Sequence, residues 1–220
     1  EYNGEVGYDV PDGTELNVDD VLVERDKDVI SFDLATTGAY FAKEDGTTST
    51  ANVADARKVI YKIQASTADA DHPLSNYKLS DDDDDVLTAD AMTYAAAGEI
   101  TRRNLEFVVK KGDINKPYDG DGKVKGDNYI QIGGEYLDYA DDSLQLVAKD
   151  AENVTNPLTA EAAYQAMSAD NLAKDVYRVD GVVTDKTINY TIKMDESIAG
   201  NYTLNGQNAE TPLTIDKIGD

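Results

Sequence analysis

The chain has 220 residues, 44 of them Asp or Glu against 20 Lys or Arg, with one His and no Cys, for a formal net charge of -24. That balance excludes nucleic acid and anionic lipid surfaces as partners, because neutralising phosphates takes clustered Lys and Arg. It also leaves zinc without its usual nitrogen and sulfur ligands, and no apolar run approaches the roughly 20 residues that span a bilayer.

The same charge acts between copies of the chain. Two like charges about 4 Å apart cost roughly 1 kcal/mol in water and about 4 kcal/mol at an effective dielectric near 20. Self-association through acidic faces therefore requires counter-cations. The length suits one all-β domain of about 200 to 250 residues, or two of about 100. The expectation is a single β-sandwich domain over 1–220 with 1–10 as a donor strand; the alternative is two lobes dividing near 112–126. A chain that opens on Glu1 rather than Met reads as a processed mature form or as a trimmed one, and the absence of Cys suits an exported protein, secreted or held at the cell surface.

In chain order, Tyr2, Val6, Tyr8 and Val10 share one parity with Gly4 between them, and Pro11-Asp12-Gly13 stops the run. Ten extended residues of this kind serve as an ordinary first strand or are added to the sheet of a neighbour. Val29–Leu34 is a strand, and so is Val59–Ala65, where Val59, Tyr61, Ile63 and Ala65 face one way. His72 precedes a proline and has no Ser or Cys companion. Ser75-Asn76-Tyr77-Lys78 matches Ser-x-x-Lys without the companion motifs of serine acyl-enzymes. The five aspartates of Asp81–Asp85 repel one another into a solvated loop. Thr88 caps a predicted helix over Ala89–Ala97 that stops at Gly98.

Leu105–Lys110 is the next predicted strand, followed by Asp113, Asn115, Asp119, Asp121 and Asp127 in a glycine-rich loop. Ca²⁺ takes six to eight oxygen ligands, and glycines let such a loop wrap around it. Lys123 stands where a further acid would sit and no Glu closes the loop, so the pattern is not an EF-hand. The plain alternative is a set of Asp-Gly turns with no metal. Other acid pairs, Asp69 with Asp71 and Asp138 with Asp141 and Asp142 among them, carry the same two readings.

Strands are predicted over Tyr129–Ile132, Leu144–Ala148, Val176–Val183, Thr187–Met194 and Leu213–Ile218, and a second helix from Asn156-Pro157 or Thr159 to about Lys174. In Thr187–Met194 the apolar Ile188, Tyr190, Ile192 and Met194 alternate with polar residues, the period of a half-buried strand. The strings Leu87–Ala91 and Leu158–Ala162 resemble each other, either through duplication or because Ala-rich helix starts look alike. Asn153, Asn189 and Asn201 head N-glycosylation sequons. The fold class expected is mainly β, an antiparallel sandwich or jelly roll with a few short helices.

The string Ser197-Ile198-Ala199-Gly200-Asn201-Tyr202-Thr203-Leu204 is similar to the late-strand Ala-Gly-x-Tyr-Thr of Ig-like surface domains. With the Asp-, Asn-, Thr- and Tyr-rich strands, the chain resembles secreted prokaryotic surface-assembly subunits: S-layer, cannula-like and pilus-like filament proteins. That resemblance implies β-sandwich subunits, calcium at interfaces and no catalysis. The function expected is a non-enzymatic extracellular structural subunit that polymerises with itself. The alternatives are a calcium-dependent adhesin or glycan-binding module, and a halophilic enzyme. Carbohydrate clefts usually use Trp platforms and this chain has no Trp, and no phosphate-binding glycine loop is present.

Overall fold

Alternating β-branched and aromatic side chains build the two longest strands, and each becomes the hub of its own sheet. The computed structural model describes residues 1–12, 14, 24–35, 38–71, 73–77, 92–111, 114, 122–164, 178–179, 182–183 and 187–218. The chain forms two compact units, residues 5–100 (the N-unit) and residues 101–220 together with 1–4 (the C-unit). It is mainly β, with antiparallel sheets and a few short helices, and belongs to the sandwich-like class.

The N-unit carries β1 (Gly7–Tyr8), β2 (Ile30–Leu34), β3 (Ala39–Ala42), β4 (Lys58–Thr67) and β5 (Met92–Ala97). β4 pairs antiparallel with β2 through Ile63–Thr67, with β3 through Lys58–Ile60, and with β5 through Lys58–Ile63. Val59, Ile63 and Ala65 are buried as the parity predicts, Ile60 joins them from the other parity, and Tyr61 is half-buried under Tyr8.

Within the predicted helix Ala89–Ala97, residues 92–97 form strand β5, and 89–91 lie outside the described residues. Helix propensity favours Ala by only a few tenths of a kcal/mol per residue, which the backbone pairing offered by β4 overrides. The residue after the strand must be glycine for a steric reason: a Cβ at Gly98 would lie 2.4 Å from Val59 Cγ2.

The C-unit carries β6 (Arg103–Leu105), β7 (Phe107–Val109), α1 (Asp127–Ile130), β8 (Leu137–Tyr139), α2 (Ala148–Asn153), β9 (Leu158–Tyr164), β10 (Arg178–Val179), β11 (Val182–Val183), β12 (Thr187–Met194), α3 (Glu196–Ala199), β13 (Tyr202–Leu204), β14 (Gln207–Asn208) and β15 (Leu213–Ile218). β12 lies between β9 and β15, antiparallel to both. Ile188, Tyr190 and Ile192 are wholly enclosed, worth about 1.5 to 3 kcal/mol for each apolar side chain. β13 pairs with β14 and, in parallel, with β6.

β12 and β15 match their predicted bounds. Leu105–Lys110 instead divides into β6 and β7, because the first pairs with β13 and the second with β8. The Asn205 side chain takes the Phe107 N–H at 2.7 Å at the break. Tyr129–Ile132 is not a strand: Gly126, at φ 116°, turns the chain into α1, where the Gln131 N–H bonds the Asp127 carbonyl. Leu144–Ala148 is a turn and the start of α2, set by Asp141, which accepts the Ser143 N–H and hydroxyl, both at 2.7 Å. The second predicted helix is strand β9 over its first part, pairing with β12 from Ile188 to Met194. Its remainder, 165–174, lies outside the described residues. Val176–Val183 contains the short hairpin β10–β11.

Candidate functional site

Carboxylates are costly to bury unless they are hydrogen-bonded, so the enclosed ones mark where the chain has invested structure. Among the described residues two aspartates are buried, Asp26 at 2% exposure and Asp150 at 8%. Asp150 lies in the first turn of α2. Its Oδ2 accepts from the Tyr202 hydroxyl at 2.5 Å and from the Tyr2 hydroxyl at 3.0 Å. The two rings meet edge to face, 5.3 Å between centroids. Hydrogen bonds to a charged group stabilise by about 1.5 to 3 kcal/mol each.

The opening segment is fastened around this cluster. The Tyr2 N–H donates to the Thr101 carbonyl at 2.8 Å, and Lys149 Nζ donates to the Gly4 carbonyl at 2.8 Å. Glu1 faces Arg103 at 3.6 Å. Gly4 holds φ 80°, and a Cβ there would lie 2.8 Å from Val147 Cγ1, so this crossing requires glycine.

Burial first, and then the bond to Asp150 and its charge, push the Tyr202 phenol far up from 10.0. It stays neutral and donating throughout the physiological range. The arrangement acts as a clamp, because a phenol so held is a poor acid and a poor nucleophile.

The structure distributes the predicted residues unevenly. Tyr2 is buried in the C-unit. Val6, Tyr8 and Val10 belong to the N-unit, where Val6 is exposed, Val10 is half-buried and Tyr8 packs edge to face on Phe41 at 5.3 Å. Gly4 breaks the ten-residue extended run expected there, and only Gly7–Tyr8 pairs as a strand, with β3. Of the calcium-loop residues, Asp113, Asn115, Asp119 and Asp121 lie outside the described residues, and Asp127 is exposed at the start of α1.

Among the described residues no three acidic or histidine side chains gather as a metal-holding group. Asp69 accepts from the Asp71 N–H at 2.9 Å, and Asp141 closes its turn on Ser143, so both acids shape turns. The Ser143 bonds hold the Asp141 carboxyl below the usual value of 3.8.

Asn153 is exposed at the end of α2, its amide donating to the Lys149 carbonyl at 2.6 Å. Asn201 is buried, and Asn189 sits in the hub strand with its Oδ1 enclosed. Asp26 and Asp150 were not among the residues singled out from sequence. The string Leu-Val-x-basic-Asp, at 22–26 and again at 146–150, is the signal that marks them. Comparison with protein families, curated proteins and solved structures returns no match for this chain.

Proposed function

We propose that the chain is a non-enzymatic structural subunit of an extracellular surface, secreted and self-assembling into a filament, tube or lattice. The observation that carries this reading is how the acids are used. The two buried aspartates found among the described residues accept bonds from tyrosine hydroxyls and so hold the fold together, and they are only two of the 44 acids behind the chain's net charge of -24. Copies of such a surface associate only with counter-cations between them, and Ca²⁺ is the hard, oxygen-seeking cation that suits carboxylates.

The likeness to S-layer, cannula-like and pilus-like subunits points the same way. Residues 1–10 are the joining segment in this reading, since contacts made within one chain can be exchanged between identical chains. Asp113, Asn115, Asp119, Asp121 and Asp127 are the loop proposed to take the cation, and Asn153 is the sequon best placed for a glycan.

The test is light scattering with negative-stain electron microscopy of the purified chain, with millimolar Ca²⁺ and then with excess chelator. Ordered polymers that form with Ca²⁺ and dissolve with chelator are expected. A monomer unchanged across both conditions overturns the proposal and favours the adhesin or glycan-binding alternative.

A further inference from the structure

We infer that the chain contains two copies of one module, each closed by the same tyrosine-to-aspartate bond. This goes beyond the assembly reading and does not depend on it.

The same features recur in the same order. Each module opens with Leu-Val-x-basic-Asp, Leu22–Asp26 and Leu146–Asp150, whose aspartate lies in a short helical turn. A strand follows, β2 or β9, and pairs antiparallel with the hub strand, β4 or β12. The hub leads to a short helical turn, Leu74–Asn76 or Glu196–Ala199, and then to Asn-Tyr-x-Leu at 76–79 or 201–204. A last strand, β5 or β15, returns antiparallel to the hub.

Register makes the correspondence specific. When Val59 is laid on Ile188, the stretch that pairs with β5, Lys58–Ile63, falls on the stretch that pairs with β15, Thr187–Ile192. Tyr61 then falls on Tyr190, Ile63 on Ile192 and Ala65 on Met194. On the hub's other partner, Phe32 faces Ala65 as Leu158 faces Met194, and Leu34 faces Ile63 as Ala160 faces Ile192. A slip of one residue would reverse every side chain, so agreement along both partners at one alignment is a strong constraint.

The bond that closes each module also matches. Tyr77 donates to Asp26 Oδ2 and Tyr202 to Asp150 Oδ2, each at 2.5 Å, across 51 and 52 residues of chain. In both, the tyrosine that follows the hub reaches back to the turn that introduces the hub's first partner, so one bond ties the start of the module to the segment just after its hub. The resemblance between Leu87–Ala91 and Leu158–Ala162 is not this repeat. The second string lies in β9, the first partner of its hub, whereas the first string precedes β5, the last partner of the other.

Hydrogen-exchange mass spectrometry of the full chain tests the inference. Tyr77→Phe should speed exchange about tenfold or more in 24–34 and 58–67, as loss of a bond to a buried carboxylate requires, and leave 146–164 and 187–194 within about twofold. Tyr202→Phe should do the converse. Replacing Leu74–Leu79 with the six residues Ala199–Leu204 should keep the N-unit protected, since the tyrosine is delivered to the same position. Should Tyr77→Phe fail to fold, the milder Asp26→Asn, which keeps an acceptor, should show the same regional pattern. A Tyr77 variant that leaves the N-unit unchanged, or a transplanted string that abolishes its protection, overturns the inference.

Discussion

The N-unit and the C-unit use one pattern of strands and close it to different degrees. In the C-unit the hub residues Ile188, Tyr190 and Ile192 are fully enclosed, and the last strand buries Leu213. In the N-unit the corresponding Val59 and Ile63 keep 4% and 8% exposure, Tyr61 is half-buried, and β5 leaves Tyr94 56% exposed. A similar ladder of backbone bonds thus supports unequal cores. Side-chain enclosure therefore sets how firmly each unit holds, since apolar burial contributes most of the stabilisation. The C-unit also clamps residues 1–4 through Tyr2, and the N-unit is the one expected to open first on heating.

The largest effect that would sharpen this comparison is a core truncation in each hub. Ile192→Ala should cost about 2 to 5 kcal/mol, toward the upper end because its site is fully enclosed, and Ile63→Ala should cost less. Urea unfolding followed by region-resolved hydrogen exchange reads both values. An equal or larger cost for Ile63→Ala would break the ranking.

The second test is alkaline pH. Burial pushes Tyr190 up to about 12 from 10.0 and raises Tyr202 further, with Asp150 adding to the latter. A phenol whose folded value lies above its unfolded value contributes stability that is complete below the unfolded value of 10.0 and is lost as pH rises through the folded one. C-unit stability should therefore fall from about pH 10 upward, measured as urea midpoints between pH 8 and 12. A flat profile would mean that neither phenol is enclosed as described.

The smallest effect has the opposite sign. Among the described residues the buried Tyr190 hydroxyl finds no hydrogen-bond partner, so Tyr190→Phe removes a desolvated polar group and should stabilise the C-unit by about 1 kcal/mol. Destabilisation by a similar amount in the same urea assay would show that the hydroxyl has a partner.

Strand signals were legible where large apolar side chains alternate with polar ones. Thr187–Met194 and Leu213–Ile218 have the predicted bounds because alternation at period two is a local property. The Ala-rich segments misled for an equally physical reason. Ala favours a helix by only a few tenths of a kcal/mol per residue, and an open edge of β4 or β12 decides otherwise. Leu105–Lys110 was one predicted strand and became two because its halves meet different partners.

By itself, the amino-acid sequence determined the mainly β class, the hub strands and the acid excess, since these follow from composition and short-range periodicity. Only the tertiary structure decided which strands flank each hub, that residues 1–4 belong with 101–220, and that Tyr77 and Tyr202 are the donors to Asp26 and Asp150. Those bonds join residues about 50 apart, and the choice of partner at that distance is made by packing and register, which no local pattern encodes.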